Sequence, residues 1–151
     1  SLLGNNDKFQ DAAFTSLQAP IYAGLVTLFV KTTFGRSRPE DGRGARDFNP
    51  FTDINSAFPS GHATAAFAIL APWTFYYPNV FTYTLLTIGT GTAIARMERQ
   101  KHWLTDVLAG SAMGLSMAYW LSQKHQGRPA RVMLAPSLGR GGIGMSMSLI
   151  L

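Results

Sequence analysis

Residues 63–95 read ATAAFAILAPWTFYYPNVFTYTLLTIGTGTAIA, a run without a single Lys, Arg, Asp or Glu. It is interrupted by Pro72 and by Pro78-Asn79, which predicts two helices joined by a tight turn, about 61–77 and 79–97. Outward on either side lie two more uncharged runs, 12–30 and 107–123. They predict helices over about 9–34 and 103–124. The chain therefore reads as all-α, with four helices. A helix of 20 residues spans about 30 Å, so each of the four is just long enough to cross a bilayer hydrocarbon core. Buried helices of a soluble bundle fit the same pattern. Thr82, Thr84, Thr87, Thr90 and Thr92 dilute the third helix, and Gly110, Ser111, Ala112, Gly114 and Ser116 give the fourth a surface for close packing in either setting.

The remainder of the chain is polar punctuation. At 151 residues it fits one domain. Only 14% of residues are charged against 46% hydrophobic, and the mean hydropathy is +0.07. A net charge of +5 suits an anionic substrate or membrane surface. No dense Lys/Arg stripe with interleaved aromatics is present, so nucleic acid is not an expected partner. The absence of cysteine excludes disulfides, thiolate metal sites and cysteine nucleophiles. Residues 40–58 carry Asp41-Gly42-Arg43-Gly44 and Asn49-Pro50 and read as a loop, long enough to be functional or mobile and placed to cover a site. Residues 128–151 differ again. Pro129, Pro136 and Gly139-Arg140-Gly141-Gly142 precede an alternation of Ile143, Met145, Met147, Leu149 and Leu151 with Gly144, Ser146, Ser148 and Ile150, which predicts a short C-terminal β-hairpin. The expected organisation is a helical domain over 1–127 and a hairpin-like tail over 128–151.

The scarce charges gather at the ends of the apolar helices, in three clusters. Lys31 closes the first helix, and Arg38 follows seven residues later, biased towards extended backbone by Pro39. A lysine point charge and an arginine fork are what a phosphate dianion wants. Pro59-Ser60-Gly61-His62 opens the second helix. Ser60 is a natural N-cap, the first-turn N–H groups can cradle an anion, and His62 is placed to donate a proton to a leaving oxygen. Arg96 ends the third helix, and His102 and Asp106 stand four apart on one face of a helix start. There a carboxylate holding one ring nitrogen would fix the tautomer and leave the other nitrogen free to attack. Each cluster alone fits surface cations, a capped helix or an i,i+4 pair. Converging helix ends would put them around one pocket. No His/carboxylate group has zinc-site spacing, so Lys and Arg are expected to neutralise charge without a metal.

These clusters resemble the three-part signature of the type 2 phosphatidic acid phosphatase (PAP2) superfamily, which includes bacterial nonspecific acid phosphatases and shares its pocket with vanadium haloperoxidases. The family pattern is Lys-x6-Arg-Pro, Pro-Ser-Gly-His and Ser-Arg-x5-His-x3-Asp. Lys31, Arg38 and Pro39 match the first part, residues 59–62 the second, and Arg96, His102 and Asp106 the third. Ala95 departs from the pattern where the family usually has serine, and a hydrogen bond near the phosphate is expected to be missing. The resemblance implies an α-helical bundle with the pocket at one end. It implies His102 as the nucleophile forming a phosphohistidine, Asp106 as its orienting carboxylate and His62 as acid and then base. Lys31, Arg38 and Arg96 would bind the phosphoryl oxygens, and Ser60 and the Gly61 N–H would complete the cradle. No cofactor is implied, and vanadate is an expected phosphate-mimicking inhibitor. The family usually has further helices before the first motif, so missing N-terminal helices are an expectation.

The function expected on this footing is a phosphatase acting on phosphomonoesters or pyrophosphates of lipids, associated with a bacterial inner membrane and facing the periplasm. The alternatives are a soluble periplasmic acid phosphatase of broad specificity and a catalytically silent binding module. A haloperoxidase fits less well, because the chain is short for those enzymes.

Overall fold

The structure is a computed structural model, and it describes the backbone of residues 131–139 and 142–150 and, with side chains from Asp7 onward, residues 2–52 and 56–127. Four helices make up this part: α1 (Leu2–Phe34), α2 (Gly61–Tyr76), α3 (Val80–Glu98) and α4 (Leu104–Gln126), with a short 3-10 turn at Pro39–Asp41. The all-α expectation holds. In the 128–151 tail the backbone of β1 (Arg131–Gly139) and β2 (Gly142–Ile150) traces two antiparallel strands, and the expected hairpin has no support beyond that trace.

Local chemistry explains the helix boundaries. The Ser60 side chain caps α2 by accepting from the Ala63 N–H. Asn79 caps α3 through the Thr82 N–H at 3.0 Å, and the Thr82 hydroxyl accepts the Asn79 N–H in return. Pro72 sits inside α2 without ending it, so the break falls at Pro78-Asn79 alone. α1 starts at Leu2 rather than near residue 9.

α2 is the central helix and packs on α1, α3 and α4, whereas α3 touches α4 only lightly. Its contact with α4 is backbone to backbone. A Cβ on Gly110 would lie 2.4 Å from the Ser60 carbonyl oxygen, and one on Gly114 would lie 2.4 Å from that of Thr64. Only glycine permits this approach, and it brings the start of α2 against the first half of α4.

The interior is built from small side chains. Ala19, Ala23, Ala68, Ala71 and Ala118 pack with Leu121 in one cluster, and Ala63, Ala93 and Val107 form a second. Thr15, Thr64, Thr74 and Ser122 are buried among them. Many large apolar residues face outward instead, among them Leu17 (71% exposed), Phe29 (71%), Val80 (80%) and Phe81 (72%). By length and composition, one helical segment among the described residues, Asp7–Phe34, can cross a membrane. The expectation that all four helices could do so is narrowed accordingly. The 16 residues of α2 reach only about 24 Å.

Residues 35–52 and 56–58 form a braced connection. Gly35 has a φ of +58°, and a Cβ there would lie 1.8 Å from the Asn49 carbonyl oxygen, so the turn out of α1 requires glycine. Backbone bonds Ser37 N–H to Asp47 O, Asn49 N–H to Gly35 O, Phe51 N–H to Thr32 O and Ala57 N–H to Arg36 O tie the loop to itself and to α1. Glu40 N–H donates to the Gln100 carbonyl, joining it to the α3–α4 turn.

Candidate active site

Helix ends converge as the clusters predict. Lys31 in the last turn of α1, Arg38 in the loop, Gly61 and His62 at the start of α2, Arg96 near the end of α3, and His102 just before α4 line one cavity of about 360 Å³, with Ala65. No carboxylate lines it. The Arg96 side chain makes no hydrogen bond or ion pair among the described residues, and its Nε is buried without a partner. A guanidinium held in that state is ready for an anion, because an oxyanion would satisfy both its charge and its stranded donor. The Lys31 ammonium donates to the Ser56 carbonyl, and the Ser56 hydroxyl donates back to the Lys31 carbonyl at 2.9 Å, so the cation is anchored at the cavity edge.

His102 is 4% exposed, and its Nδ1 lies 2.7 Å from the Ala57 carbonyl oxygen. A carbonyl only accepts, so Nδ1 carries the proton and Nε2 carries the lone pair. Burial pushes the imidazole pKa down to about 4. The Ala57 hydrogen bond opposes this shift, and Lys31, Arg96 and Arg38 add to it. The result is a neutral ring with one free basic nitrogen. His62 is exposed, and its pKa is lowered too, first by desolvation and then by Arg96, Lys31 and Arg38.

Two expected site residues stand elsewhere. Asp106 does not touch His102. Its carboxylate accepts the Trp103 N–H at 2.7 Å and the Arg36 guanidinium at 2.5 Å, fully buried. The reason is the helix boundary: α4 starts at Leu104, so His102 precedes it and the i,i+4 relation of a shared helix face does not apply. Ser60 is fully buried beneath the cavity, with its hydroxyl used as the α2 cap and its N–H donated to the Asp106 carbonyl at 2.9 Å. It does not line the cavity. Ala95 is exposed and off the cavity as well.

Sequence reasoning missed two contributors. Arg36 was visible inside the Lys31–Arg38 spacer but had no assigned role. It bonds Asp106, Thr105 Oγ1 at 2.6 Å and the Ala45 carbonyl at 2.8 Å, and it lies over the Trp103 ring. Trp103 Nε1 donates to the Ser37 carbonyl at 3.0 Å, so loop and α4 start are strapped together twice. Ala57 contributes only a carbonyl, which no residue type announces.

The arrangement is an anion pocket with two imidazoles at one end of a helical bundle, the class of site that phosphoryl chemistry requires. The PAP2 superfamily profile matches residues 13–130, and the chain belongs to that superfamily. Three curated relatives are named lipid A 1-phosphatase. That of Porphyromonas gingivalis is 33% identical over 61% of this chain and 20% of its own length. Those of Rhizobium johnstonii and Rhizobium etli are each 29% identical over 62% of this chain, and 40% and 42% of their own lengths. The chain thus spans well under half the length of the curated relatives it matches. No solved structure shows a significant match.

Proposed function

We propose that the chain is a phosphatase that hydrolyses a lipid phosphomonoester through a phosphohistidine on His102, without a metal. The observation that carries this is the neutral His102 ring, with its proton held on Nδ1 by Ala57, in a cavity lined by Lys31, Arg38 and Arg96. His102 Nε2 attacks phosphorus as the P–O ester bond breaks, and His62 gives its proton to the leaving alkoxide. His62 then takes a proton from water, whose oxygen attacks phosphorus. The P–N bond breaks, and inorganic phosphate leaves. The Nδ1–H bond to Ala57 persists throughout and stabilises the positive charge that the phosphorylated ring acquires. The three cations neutralise the equatorial oxygens, the task a metal performs elsewhere.

A lipid substrate is supported by the names of the relatives and by the inverted packing of the bundle. Alanine and threonine inside with leucine, isoleucine and phenylalanine outside is the distribution of helices solvated by lipid. We place α1 in a bacterial inner membrane, with the site at its periplasmic face. Lipid A, from which the relatives take their name, is the first substrate to try. Phosphate release from lipid A and from phosphatidic acid in detergent should be abolished by His102→Ala. Alkaline quenching with ³²P-labelled substrate should trap label on wild type and none on that variant. Equal turnover by both proteins would refute the mechanism.

A further inference from the structure

The surface between α1 and α4 carries an apolar trough that the phosphatase chemistry leaves unused. Two adjoining cavities, of about 470 and 530 Å³, share Val26 from α1 and Met117 and Trp120 from α4. The trough follows α4 from Ala112 to Lys124 and His125 in its last turn. Val26 and Trp120 are exposed, so it opens to the surroundings. Among the described residues no carboxylate lines either cavity.

Its position in the bundle decides what can lie in it. α4 begins beside His102 and runs away from the phosphate cavity, so Lys124 marks the end opposite the active site. Between Ala112 and Lys124 the helix rises about 18 Å. One leaflet is half of a hydrocarbon core of about 30 Å. The trough therefore matches the depth of the leaflet opposite the site, which is the length of one extended acyl chain. Met113 and Met117 give it a wall that adapts to a flexible chain.

Lys124 supplies the place for a head. Its ammonium lies 4.3 Å from the centroid of the Trp120 ring, and its side chain makes no hydrogen bond or ion pair among the described residues. A cation resting on an aromatic face at the mouth of an apolar trough keeps its N–H donors for a ligand, and the phosphate of a lipid headgroup satisfies them. We infer that the α1–α4 trough binds one anionic phospholipid of the leaflet opposite the active site, with an acyl chain along Val26, Met117 and Trp120 and its headgroup phosphate on Lys124. This lipid is a bound partner and not the substrate, since its head lies at the other end of the bundle from His102. The inference goes beyond the phosphatase reading and rests only on its placement of α1 in a membrane.

Trp120 reports occupancy, because bromine on an acyl chain quenches an indole that it touches. The protein is reconstituted in phosphatidylcholine bilayers, and brominated phosphatidylglycerol or brominated phosphatidylcholine is added at equal mole fraction. The Trp120 signal is the fluorescence lost in Trp120→Phe. Wild type should bind the phosphatidylglycerol about fivefold more tightly, the factor that one lysine near an anionic headgroup supplies. Lys124→Gln should bring the ratio to about one, and Lys124→Arg should keep it. Lys8→Gln should leave it unchanged, because Lys8 is stacked on Tyr77 outside the trough. Ser116→Phe, which enlarges an exposed residue of the trough, should remove most of the extra quenching by phosphatidylglycerol. A wild-type ratio near one would overturn the lipid site and leave phosphate release by the same bilayers untouched. Equal losses in Lys8→Gln and Lys124→Gln would overturn it too, since general attraction to an anionic surface would then explain the ratio. Trp120 quenched by neither lipid, in a protein that runs as a dimer in detergent, would overturn it in favour of a second copy of the chain. A protein that stays in solution without lipid or detergent would overturn the membrane placement and this site with it.

Discussion

Replacing Asp106 by Asn separates two accounts of the same residue. If the carboxylate orients His102, Asp106→Asn should leave the fold intact and cut turnover by orders of magnitude through a wrong tautomer. The structure points the other way, because the Ala57 carbonyl already holds Nδ1–H and Asp106 is bonded to Trp103 and Arg36. The loss should then appear as stability. Removing one partner of a buried ion pair costs about 3–5 kcal/mol. Arg36 is 10% exposed and keeps the Ala45 carbonyl and the Thr105 hydroxyl, which places this site at or below the low end. Burial also pushes the Asp106 pKa up despite Trp103 and Arg36, so part of the pairing gain is already spent on desolvation. A loss of about 2–3 kcal/mol follows, or roughly 5–10 °C in Tm for a chain of this size. Thermal unfolding in detergent measures it. An Arg36→Gln, Asp106→Asn double variant should lose clearly less than the two single losses combined. Turnover of the folded fraction at low temperature should stay within about tenfold of wild type, a bound well short of the ~10⁴-fold loss known for a wrong tautomer. An unchanged Tm with turnover reduced a thousandfold would refute this reasoning and restore Asp106 as the partner of His102.

Three further expectations follow from the same geometry. The kcat/KM profile should be acidic: it rises through about pH 4, where His102 becomes neutral, and falls at a pH below 6.5 as His62 loses its proton, with the falling limb absent in His62→Gln. Stability should track His102 with a defined sign. Its pKa is lowered in the fold, so the unfolded chain takes up the proton first, and stability is full above about pH 6.5 and lost towards pH 4, by about 3 kcal/mol; urea midpoints at pH 7 and pH 4 for wild type and His102→Gln check it. Gly110→Ala should destabilise by about 1–3 kcal/mol, since its Cβ would meet the Ser60 carbonyl oxygen at 2.4 Å, and should also lower turnover because the start of α2 must shift; circular dichroism melts and phosphate release read both.

The four helices were legible because charge-free runs bounded by Pro78-Asn79 and by polar clusters have few other readings. The cavity was legible because scarce cations and imidazoles gathered at predicted helix ends. What residue types could not reveal was who bonds whom. The pairing of His102 with Asp106 rested on an i,i+4 spacing, and that spacing has force only inside a helix. α4 begins at Leu104 with Trp103 as its cap, so His102 lies outside the helix and Asp106 turns back onto the Trp103 N–H. Ser60 looked like a phosphate ligand and an N-cap at once, and the buried cap won because α4 covers it through Gly110. Arg36 lay in plain view, but its role depends on the loop returning past Ala45 and Ala57.

The electrostatics of the cavity tie its two imidazoles to the substrate. Desolvation first, and then Lys31, Arg38 and Arg96, lower the pKa of both rings. This suits His102, which must be neutral to attack, but works against His62, which must be protonated to serve as the acid. A phosphate monoester resolves the conflict, since its negative charge offsets the three cations. Of the two rings, His62 is the exposed one and so the freer to take up a proton when that offset occurs. His102 is held neutral mainly by burial, and a bound anion does little to change that. The acid is therefore armed by the substrate while the nucleophile stays ready. Vanadate, carrying similar charge, should raise the His62 pKa and leave the His102 ring neutral, and ¹⁵N-histidine NMR with and without vanadate distinguishes the two rings. A His62 shift absent in vanadate would mean that the cations do not set its proton affinity.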